Sequence, residues 1–319
     1  MKTIGILTSG GDAPGMNAAI RAIARTAFYK GMRVKGVRFG YDGLMSGDIY
    51  EMNVSSVADI IQKGGTMLGS ARSEEFQTPE GQKKAVAILR QFGIDSLVVL
   101  GGDGSMRGAE SLAKNGINTV CIPCTIDNDM GFTDFSIGFH TAVETVIESI
   151  GKLRDTSSSH GRANIIEVMG RRCGDIALHA GVGGGAESII IPEHEYSVQE
   201  VVDRILRGRK RGKRHHIIVM AEGVGDPFQM KEEIEKGSGV DTRITILGHV
   251  QRGGSPSLTD ARLACQMGYK AVELLEEGTS SVAIGVRGGR LFSMPISEAV
   301  AVPNVVDEGL YEMAKVLSS

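Results

Sequence analysis

Short apolar runs alternate along the chain with longer segments in which apolar residues recur every three or four positions. Apolar runs of about four to eight residues predict buried strands. They are TIGIL (3–7), SLVVL (96–100), NTVCI (118–122), NIIEVM (164–169), SIII (188–191) and HHIIVM (215–220). The helical spacing predicts helices from Pro14 onward and over 79–92, 105–115, 139–154, 198–208 and 257–276. Strands separated by helices predict an α/β fold with mostly parallel sheets and helices on both faces.

The segment 198–208 has the clearest helical pattern. Its apolar residues follow the i, i+3, i+4, i+7, i+8 spacing, which predicts one stripe facing a core. They are Val198, Val201, Val202, Ile205 and Leu206.

Length and composition limit the function classes. The chain has 319 residues, and single cores stop growing at roughly 250–300 residues, so two lobes are expected. A net charge of −3 argues against a dedicated nucleic-acid binder. The apolar N-terminal run is too short for a signal peptide, and no run approaches the roughly 20 residues that span a bilayer. Four cysteines without a secretory signal predict reduced thiols and a cytoplasmic location.

Four loops follow predicted strands and contain Gly or Asp at informative positions. In parallel sheets, ligands bind where such loops converge at the carboxyl ends of the strands. The loops are SGGDAPGMN (9–17), GGDGS (101–105), PCTIDND (123–129) and MGRRCGD (169–175).

The first two loops have the pattern of a phosphate site. Each lies between a strand and a helix, and the free N–H groups at a helix start favour an anion. Ser105 is the predicted N-cap of the second helix. Asp103 would repel a phosphate unless it holds Mg²⁺, whose usual ligands are carboxylates and phosphates. The alternative is a turn in which Gly and Asp only satisfy backbone geometry.

Two nucleotide motifs are excluded. No Gly-x-x-x-x-Gly-Lys-Ser/Thr occurs in the chain, so the phosphate site is not a Walker A loop. A G-x-G-x-x-A match at 181–186 follows the predicted helical segment DIALHAG rather than a strand, so its context is wrong for a dinucleotide fingerprint.

The stretch CIPCTIDNDM (121–130) allows two interpretations. Cys121 and Cys124 have C-x-x-C spacing, but the pair is predicted to straddle a strand end and has no second Cys/His pair for zinc. The carboxylates are favoured instead. Strand alternation would aim Asp127 and Asp129 the same way, one as a base and one as a Mg²⁺ ligand. An Asx-rich turn is the alternative.

Five segments together resemble the bacterial ATP-dependent 6-phosphofructokinases: GGDGS, TIDND, MGR (169–171), AEG (221–223) and LGHVQRGGSP (247–256). The resemblance covers essentially the whole chain. GGDG(S/T) also marks NAD kinases and lipid kinases, whereas TIDND combined with GHVQRGG is much more specific. The resemblance implies two Rossmann-like three-layer α/β/α lobes. The ATP-binding lobe would comprise 1–138 and 251–301, and the sugar-phosphate lobe 139–250 and 302–319.

The resemblance implies phosphoryl transfer from MgATP to the 1-hydroxyl of fructose 6-phosphate, the committed step of glycolysis. Asp127 would be the general base, Thr125 and Arg171 would face the transferred group, and Asp103 and Asp129 would hold Mg²⁺. The implied ATP contacts are Gly11, Arg72, Ser73, Gly102, Asp103, Gly104 and Ser105. The implied sugar-phosphate contacts are Thr125, Ile126, Asp127, Arg162, Met169, Gly170, Arg171, Glu222, Arg243, His249, Val250, Gln251 and Arg252.

Some of these residues also have ordinary structural interpretations. In the family, the residues that correspond to Arg162 and Arg243 reach in from a neighbouring subunit of a homotetramer. They are equally interpretable as surface arginines, His249 as a hydrogen-bonded core histidine, and Glu222 as a turn cap.

The basic run RGRKRGKRHH (207–216) has three interpretations: cations that complement a helix C-terminus, a nucleic-acid patch, or a regulatory anion site. The resemblance implies the third, with ADP as activator and phosphoenolpyruvate as inhibitor. Glu187 would hold the Mg²⁺ of ADP and disfavour a bare carboxylate ligand. The implied effector residues are Arg21, Arg25, Asp59, Arg154, Gly185, Glu187, Arg211, Lys213, Arg214 and His215.

The chain departs from the family at position 124, where Cys replaces the usual Gly. Pyrophosphate-dependent relatives commonly carry Lys at that position and Asp in place of Gly104. Cys124 is small and neutral, and Gly104 is retained, so ATP is the predicted donor. The alternatives are a pyrophosphate-dependent phosphofructokinase, a non-catalytic regulatory subunit of the same fold, and another kinase with a GGDG loop, such as an NAD kinase.

Overall fold

The computed structural model describes residues 2–318. The strands are β1 (Thr3–Thr8), β2 (Arg33–Val37), β3 (Ile49–Met52), β4 (Ser96–Gly101), β5 (Asn118–Thr125), β6 (Ile137–Gly138), β7 (Ala163–Val168), β8 (Ser188–Ile190), β9 (His216–Ala221), β10 (Thr242–Ile246), β11 (Val282–Arg287) and β12 (Arg290–Pro295). The helices are α1 (Met16–Tyr29), α2 (Gly40–Ser46), α3 (Pro79–Gln91), α4 (Asp103–Lys114), α5 (Phe139–His160), α6 (Asp175–Gly183), α7 (Val198–Lys210), α8 (Pro227–Ser238), α9 (Leu258–Glu276), α10 (Ile296–Ala299) and α11 (Glu308–Leu317).

The predicted strands and helices are all present with shifted ends; for example, α5 continues to His160, whereas the prediction ended at 154. Three of the shifts change the interpretation of the predicted site. Strand β5 continues to Thr125, so both cysteines of the C-x-x-C lie inside it and do not straddle its end. Helix α4 begins at Asp103 after Gly102, which makes Ser105 a first-turn residue rather than the N-cap. Helix α1 begins at Met16, so Pro14 precedes it.

The chain divides into two compact units, and unit 1 contains the residues up to Ile126 together with Met130–Thr141 and Arg252–Asn304. Its sheet has the order β12-β11-β5-β4-β1-β2-β3, with β6 beside β5. Neighbouring strands pair in parallel from β11 across the sheet to β2. The edge strands β3 and β12 each pair antiparallel with their neighbour. Strands β1 and β4 are fully buried, which explains why their sequences are continuous apolar runs rather than alternating patterns.

Strand register in unit 1 aligns three of the predicted ligand loops. Thr8 pairs with Leu100 and Gly101 pairs with Pro123. Because the strands are parallel, the segments that follow β1, β4 and β5 leave the same edge of the sheet. This edge is where the phosphate loops and Thr125 were predicted to act.

Helices cover the unit 1 sheet. Buried side chains of α2, α3 and α4 form one cluster with strand residues such as Leu97 and Val99. Helix α1 packs directly on α9, where a Cβ on Gly268 would lie 2.7 Å from the Cβ of Ala22. The glycine therefore allows the two helices to approach closely.

Unit 2 contains Asp127–Asp129, Ala142–Gln251 and the residues from Val305 onward. Its sheet, in the order β10-β7-β9-β8, is entirely parallel. Val201, Val202 and Ile205 of α7 join its core, as the spacing predicted. Leu206 does not, because it lies at the margin of the stripe and is 37% exposed. Among residues 2–318, no helix has the length and apolarity needed to cross a bilayer.

Candidate active site

The two glycine-rich loops of unit 1 contact each other. A Cβ on Gly101 would lie 2.4 Å from the Oγ of Ser105 and 2.5 Å from the carbonyl oxygen of Ser9, so only glycine fits between the loops. At Gly104, by contrast, a Cβ would meet nothing within 4 Å. Glycine also occupies the N-caps of both following helices, at Gly15 and Gly102. First-turn N–H groups without a side-chain cap favour an anionic ligand.

Asp103 begins α4 and is paired with Arg107 one turn later. The Nε of Arg107 lies 2.8 Å from the Oδ2 of Asp103, and the side chains are 57% and 44% exposed. The guanidinium also donates to the carbonyl of Val300 at 3.2 Å. The sequence analysis missed Arg107, although the i, i+4 spacing on a predicted helix was a signal for it.

Some of the other predicted ATP contacts of unit 1 already contact residues of the protein itself. The Oγ of Ser73 accepts a hydrogen bond from the Phe76 N–H at 3.4 Å, whereas Arg72 is exposed. Arg252, assigned to the sugar, donates to the carbonyl oxygen of Asp12 at 3.1 Å. A Cβ on Gly11 would lie 2.5 Å from its guanidinium. Arg252, a predicted sugar contact, therefore lies against Gly11, a predicted ATP contact.

Thr125 ends β5 next to the second glycine loop. A Cβ on Gly102 would lie 3.6 Å from the Cβ of Thr125. The Oγ of Ser136 donates to the Thr125 carbonyl at 2.7 Å and fixes the end of the strand. Thr125 and the following Ile126 are both buried.

Asp127 opens the short segment of unit 2 that follows β5. Its carboxylate is 1% exposed, and the Nε of Arg171 lies 3.3 Å from its Oδ2. Asn128 has a φ of 52°, so the segment turns here, and the predicted strand alternation of Asp127 and Asp129 is wrong. Asp129 is partly buried.

The turn after β7 is held in an unusual backbone shape. Gly170 and Arg171 have φ values of 133° and 57°. The Arg171 N–H donates to the Oε1 of Glu222 at 2.8 Å. The side chain of Gln251, which is fully buried, accepts from the Met169 N–H at 3.2 Å. Glu222 and Gln251 therefore position the backbone of MGR.

The two arginines predicted to grip the 6-phosphate converge on one carboxylate. Arg162 Nε and an Arg243 amino group lie 2.6 Å and 3.1 Å from the Oδ2 of Asp241. His249 and Val250 follow β10 and are exposed, which excludes a buried core role for His249. All of these residues belong to unit 2.

Asp103 and Asp129 are the predicted ligands of a magnesium ion that is bound together with phosphates. Such an ion takes one or two protein carboxylates. Between residues 2 and 318, no group of three or more His, Cys, Asp or Glu side chains is arranged to hold a metal. Asp103, which is half exposed, and Asp129, which is partly buried, each offer a carboxylate of the required kind.

The thiols beside the carboxylates are buried and unreactive. Cys121 and Cys124 are completely buried, and burial raises the pKa of both thiols. Burial also raises the pKa of Cys173. Neutral, inaccessible thiols are poor nucleophiles, so the geometry favours the carboxylates of 121–130 as its functional groups.

Several predicted effector residues assemble around Glu187 in unit 2. Lys213 Nζ and His215 Nε2 lie 2.5 Å and 3.5 Å from its Oε1, and the Ile217 N–H donates to its Oε2. Burial alone would raise the pKa of Glu187, but the bonds from Ile217 and Lys213 outweigh it and lower the pKa. Arg154 donates to the carbonyl of Gly185 at 2.8 Å.

A basic cavity of about 620 Å³ lies beside this cluster. Its lining includes Glu187 and a set of cations, namely Arg204, Arg207, Lys210, Arg211, Lys213 and Lys315. The sequence analysis missed Arg204 and Lys315. Arg204 was detectable because it lies three and seven positions before Arg207 and Arg211, on the same helix face. Three other predicted effector residues belong to unit 1, namely Arg21, Arg25 and Asp59. Arg214 donates to the carbonyl of Ser159.

The chain is similar to known proteins over nearly its whole length. The chain matches the family model described as Phosphofructokinase over residues 3–275. Over 318 residues it is 63% identical to the ATP-dependent 6-phosphofructokinase of Finegoldia magna and 56% identical to that of Clostridium botulinum, covering 100% of both partners in each case. The solved phosphofructokinase of Saccharomyces cerevisiae superposes with a TM-score of 0.91 at 36% identity, over 98% of this chain and 50% of that chain. The chain belongs to the phosphofructokinase family.

Proposed function

We propose that the protein is an ATP-dependent 6-phosphofructokinase that transfers a phosphoryl group from MgATP to the 1-hydroxyl of fructose 6-phosphate in the cytoplasm, in glycolysis. The observation that carries the proposal is the buried Asp127 carboxylate, paired with Arg171 and two residues beyond Thr125. A proton acceptor for the attacking hydroxyl and a cation for the transferring group are two of the parts that in-line phosphoryl transfer to an alcohol uses. Full-length identity to proteins named ATP-dependent 6-phosphofructokinase supports the same conclusion.

The mechanism assigns each residue a defined step. Asp127 accepts the proton of the sugar 1-hydroxyl as its oxygen attacks the γ-phosphorus and the bond to the β-phosphate oxygen breaks. Arg171, which is 56% exposed, can turn toward the transferring group and spread its charge. Thr125, fixed by Ser136, faces the same group.

Unit 1 is assigned to the nucleotide and unit 2 to the sugar phosphate. Gly11, Ser105 and the uncapped starts of α1 and α4 would bind the phosphates, because their N–H groups suit oxyanions. Asp103 and Asp129 would hold Mg²⁺, which when bound neutralises charge on the transferring phosphates. Met169, Glu222 and His249 of unit 2 would bind the sugar, as would Arg252, which belongs to unit 1.

ATP rather than pyrophosphate is the proposed donor. Nothing lies within 4 Å of a Cβ at Gly104, which leaves space for the α-phosphate that pyrophosphate lacks. Cys124 is fully buried within β5 and, with its raised pKa, neutral, so it supplies no cation in place of that phosphate. Pyrophosphate dependence is the second candidate function.

Oligomerisation and regulation complete the proposal. The Arg162 side chain is about one-third exposed and that of Arg243 about half exposed, and in a homotetramer they would serve a neighbouring subunit's 6-phosphate site. The Glu187 cluster and its basic cavity would bind ADP as activator and phosphoenolpyruvate as inhibitor. Opposed effectors can share one site when each favours a different quaternary state.

Steady-state rates against fructose 6-phosphate test the proposal. The purified protein is assayed with MgATP or with magnesium pyrophosphate, each with and without ADP and phosphoenolpyruvate. Turnover with ATP at least about tenfold faster than with pyrophosphate is expected. Faster turnover with pyrophosphate would reverse the donor assignment, and no phosphorylation with either donor would reject the function.

A further inference from the structure

A buried hydrogen bond connects the Asp127–Asp129 segment to the start of α6. The Nδ2 of Asn128 donates to the Oδ2 of Asp175 at 2.8 Å. The two residues are 47 positions apart in the chain and are 6% and 9% exposed. Both belong to unit 2.

The backbone at Asn128 needs support. Its φ of 52° lies in the left-handed region, which is strained for a non-glycine residue. Asn tolerates this conformation better than other side chains, and a bond to its amide group holds it there. The residues whose directions depend on this turn are its two neighbours, Asp127 and Asp129.

The same region also supports Arg171. Arg171 has a φ of 57° and precedes Asp175 in the turn between β7 and α6. The Cys173 N–H donates to the carbonyl of Gly170 at 2.9 Å, and the Gly174 N–H donates to the Oε1 of Glu193 at 2.8 Å. The Sγ of Cys173 lies 4.0 Å from the carbonyl oxygen of Asn128. Asp175 thus terminates the turn that carries Arg171 and also bonds to the segment that carries Asp127.

We propose that Asp175 is a positioning residue for phosphoryl transfer: its carboxylate holds Asn128 in the left-handed conformation and so fixes the directions of Asp127 and Asp129 relative to Arg171. The inference rests on the proposed function and deepens it. Asp175 itself touches no reacting atom.

The ordinary role of an aspartate at this place is to stabilise the helix. An acidic residue in the first turn interacts favourably with the helix dipole. The N-cap of α6 is Gly174, however, and no side chain caps it. The Asp175 carboxylate is directed to Asn128 instead. Burial raises the pKa of Asp175, so ionised Asp175 is costly to the fold at neutral pH. The bond from Asn128 offsets part of this cost.

The experiment compares Asp175→Ala, Asp175→Asn, Asn128→Gly and the Asn128→Gly/Asp175→Ala double variant in the full-length protein. Alanine removes the acceptor, whereas asparagine keeps an amide oxygen that can accept from Asn128. Glycine adopts positive φ without a tether. The measurements are kcat and KM for fructose 6-phosphate with MgATP, and the melting temperature.

We expect Asp175→Ala to lower kcat by about tenfold to a hundredfold with little change in KM, because misplacement of reacting groups affects the transition state. Asp175→Asn should recover kcat to within about threefold of the wild type. In the Asn128→Gly background, Asp175→Ala should lower kcat by less than about twofold, because the tethered side chain is already absent.

Asp226→Ala is the matched control. Asp226 caps α8 by accepting from the Phe228 N–H at 2.8 Å, so its removal weakens the start of a unit 2 helix without touching Asn128. The Asp226→Ala variant should have a lower melting temperature and an unchanged kcat.

Two results would overturn the inference. One is an Asp175→Ala variant with wild-type kcat, and the other is an equal loss of kcat on Asp175→Ala in the wild-type and Asn128→Gly backgrounds. Failure of the proposed function is distinguishable, since the wild type would then not phosphorylate fructose 6-phosphate.

Discussion

Arg107 and Asp103 form an ion pair across one turn of α4, with 2.8 Å between Nε and Oδ2. The carboxylate that we assign to Mg²⁺ is therefore already bonded to a cation of its own helix. Both side chains are about half exposed, and exposed pairs of this kind contribute roughly 0–1 kcal/mol. The pair is weak enough to open when a metal–nucleotide complex arrives, and we expect it to compete with that complex for the carboxylate.

Replacement of Arg107 should increase the affinity for the metal. In Arg107→Gln, Asp103 loses its competing partner and the local positive charge falls, so the half-saturating Mg²⁺ concentration should drop by about two- to fivefold. Mn²⁺ binding to the enzyme–ADP complex, followed by electron paramagnetic resonance, provides a readout independent of turnover. Arg107→Lys keeps the charge and should resemble the wild type. Unchanged or weaker Mn²⁺ binding by Arg107→Gln would contradict the expected competition.

Removal of the Asp127 carboxylate should affect turnover rather than sugar binding. Asp127→Ser loses the proton acceptor, and general-base catalysis typically contributes about 10²–10⁴-fold. We expect kcat to fall within that range while KM for fructose 6-phosphate changes little, as measured by a coupled assay. Asp48→Asn, which alters an exposed carboxylate paired with Arg38 in unit 1, should not change kcat. A wild-type kcat for Asp127→Ser would remove Asp127 from the mechanism.

His216 should make the fold sensitive to mild acid. Burial lowers its pKa to about 4, from 6.5, and its Nε2 lies 3.1 Å from the Oγ of Ser188. Between pH 6.5 and 4 the unfolded chain therefore binds a proton at this position that the native protein does not bind. The contribution of neutral His216 to the free energy of unfolding is fully present above pH 6.5. It declines by on the order of 3 kcal/mol as the pH falls to 4.

Thermal unfolding from pH 7.5 to 4.5 checks the assignment to His216. Other groups also titrate in this range, so the informative quantity is the difference between the wild type and His216→Gln. The melting temperature of His216→Gln should fall less steeply than that of the wild type. Parallel curves would show that His216 does not titrate as its burial implies.

Thiol labelling should distinguish Cys265 from the other cysteines. Cys121, Cys124 and Cys173 are buried, whereas Cys265 in α9 is only partly buried. Burial raises the pKa of Cys265 too, but Arg21 acts against this effect. A disulfide reagent should label a single thiol of the native protein quickly and the others only on unfolding. Cys265→Ser should lose the fast phase, and rapid labelling that survives this change would contradict the burial of the other three cysteines.

Local patterns predicted the strands, the helices and the glycine loops because these features depend on neighbours in sequence. The continuous apolar runs of β1 and β4 and the Gly-Asp-Gly turn before α4 are examples. Strands β2, β3, β6, β10, β11 and β12 were missed, since they are short, partly exposed or interrupted by polar residues. Their pairing with buried neighbours decides their conformation more than their own propensity does.

The sequence predicted which residue types form the candidate site, but not how these residues are arranged. TIDND indicated a carboxylate site, but the left-handed Asn128 and its bond to Asp175 depend on a contact 47 residues away. Strand alternation was therefore the wrong guide to Asp127 and Asp129. The pairing of Arg171 with Asp127 is likewise a tertiary contact, and no spacing in the sequence encodes it.

The discontinuity of unit 1 has a consequence for the order in which the protein assembles on the ribosome. Strand β5 pairs on one side with β4 and on the other with β11, where Val120 lies opposite Val282. Helix α9 is also needed to cover α1. At about 5–20 residues per second, roughly 8–30 s separate the synthesis of β5 from that of β11. During that interval the nascent chain exposes an apolar strand edge, which makes this stretch the natural target for a holding chaperone.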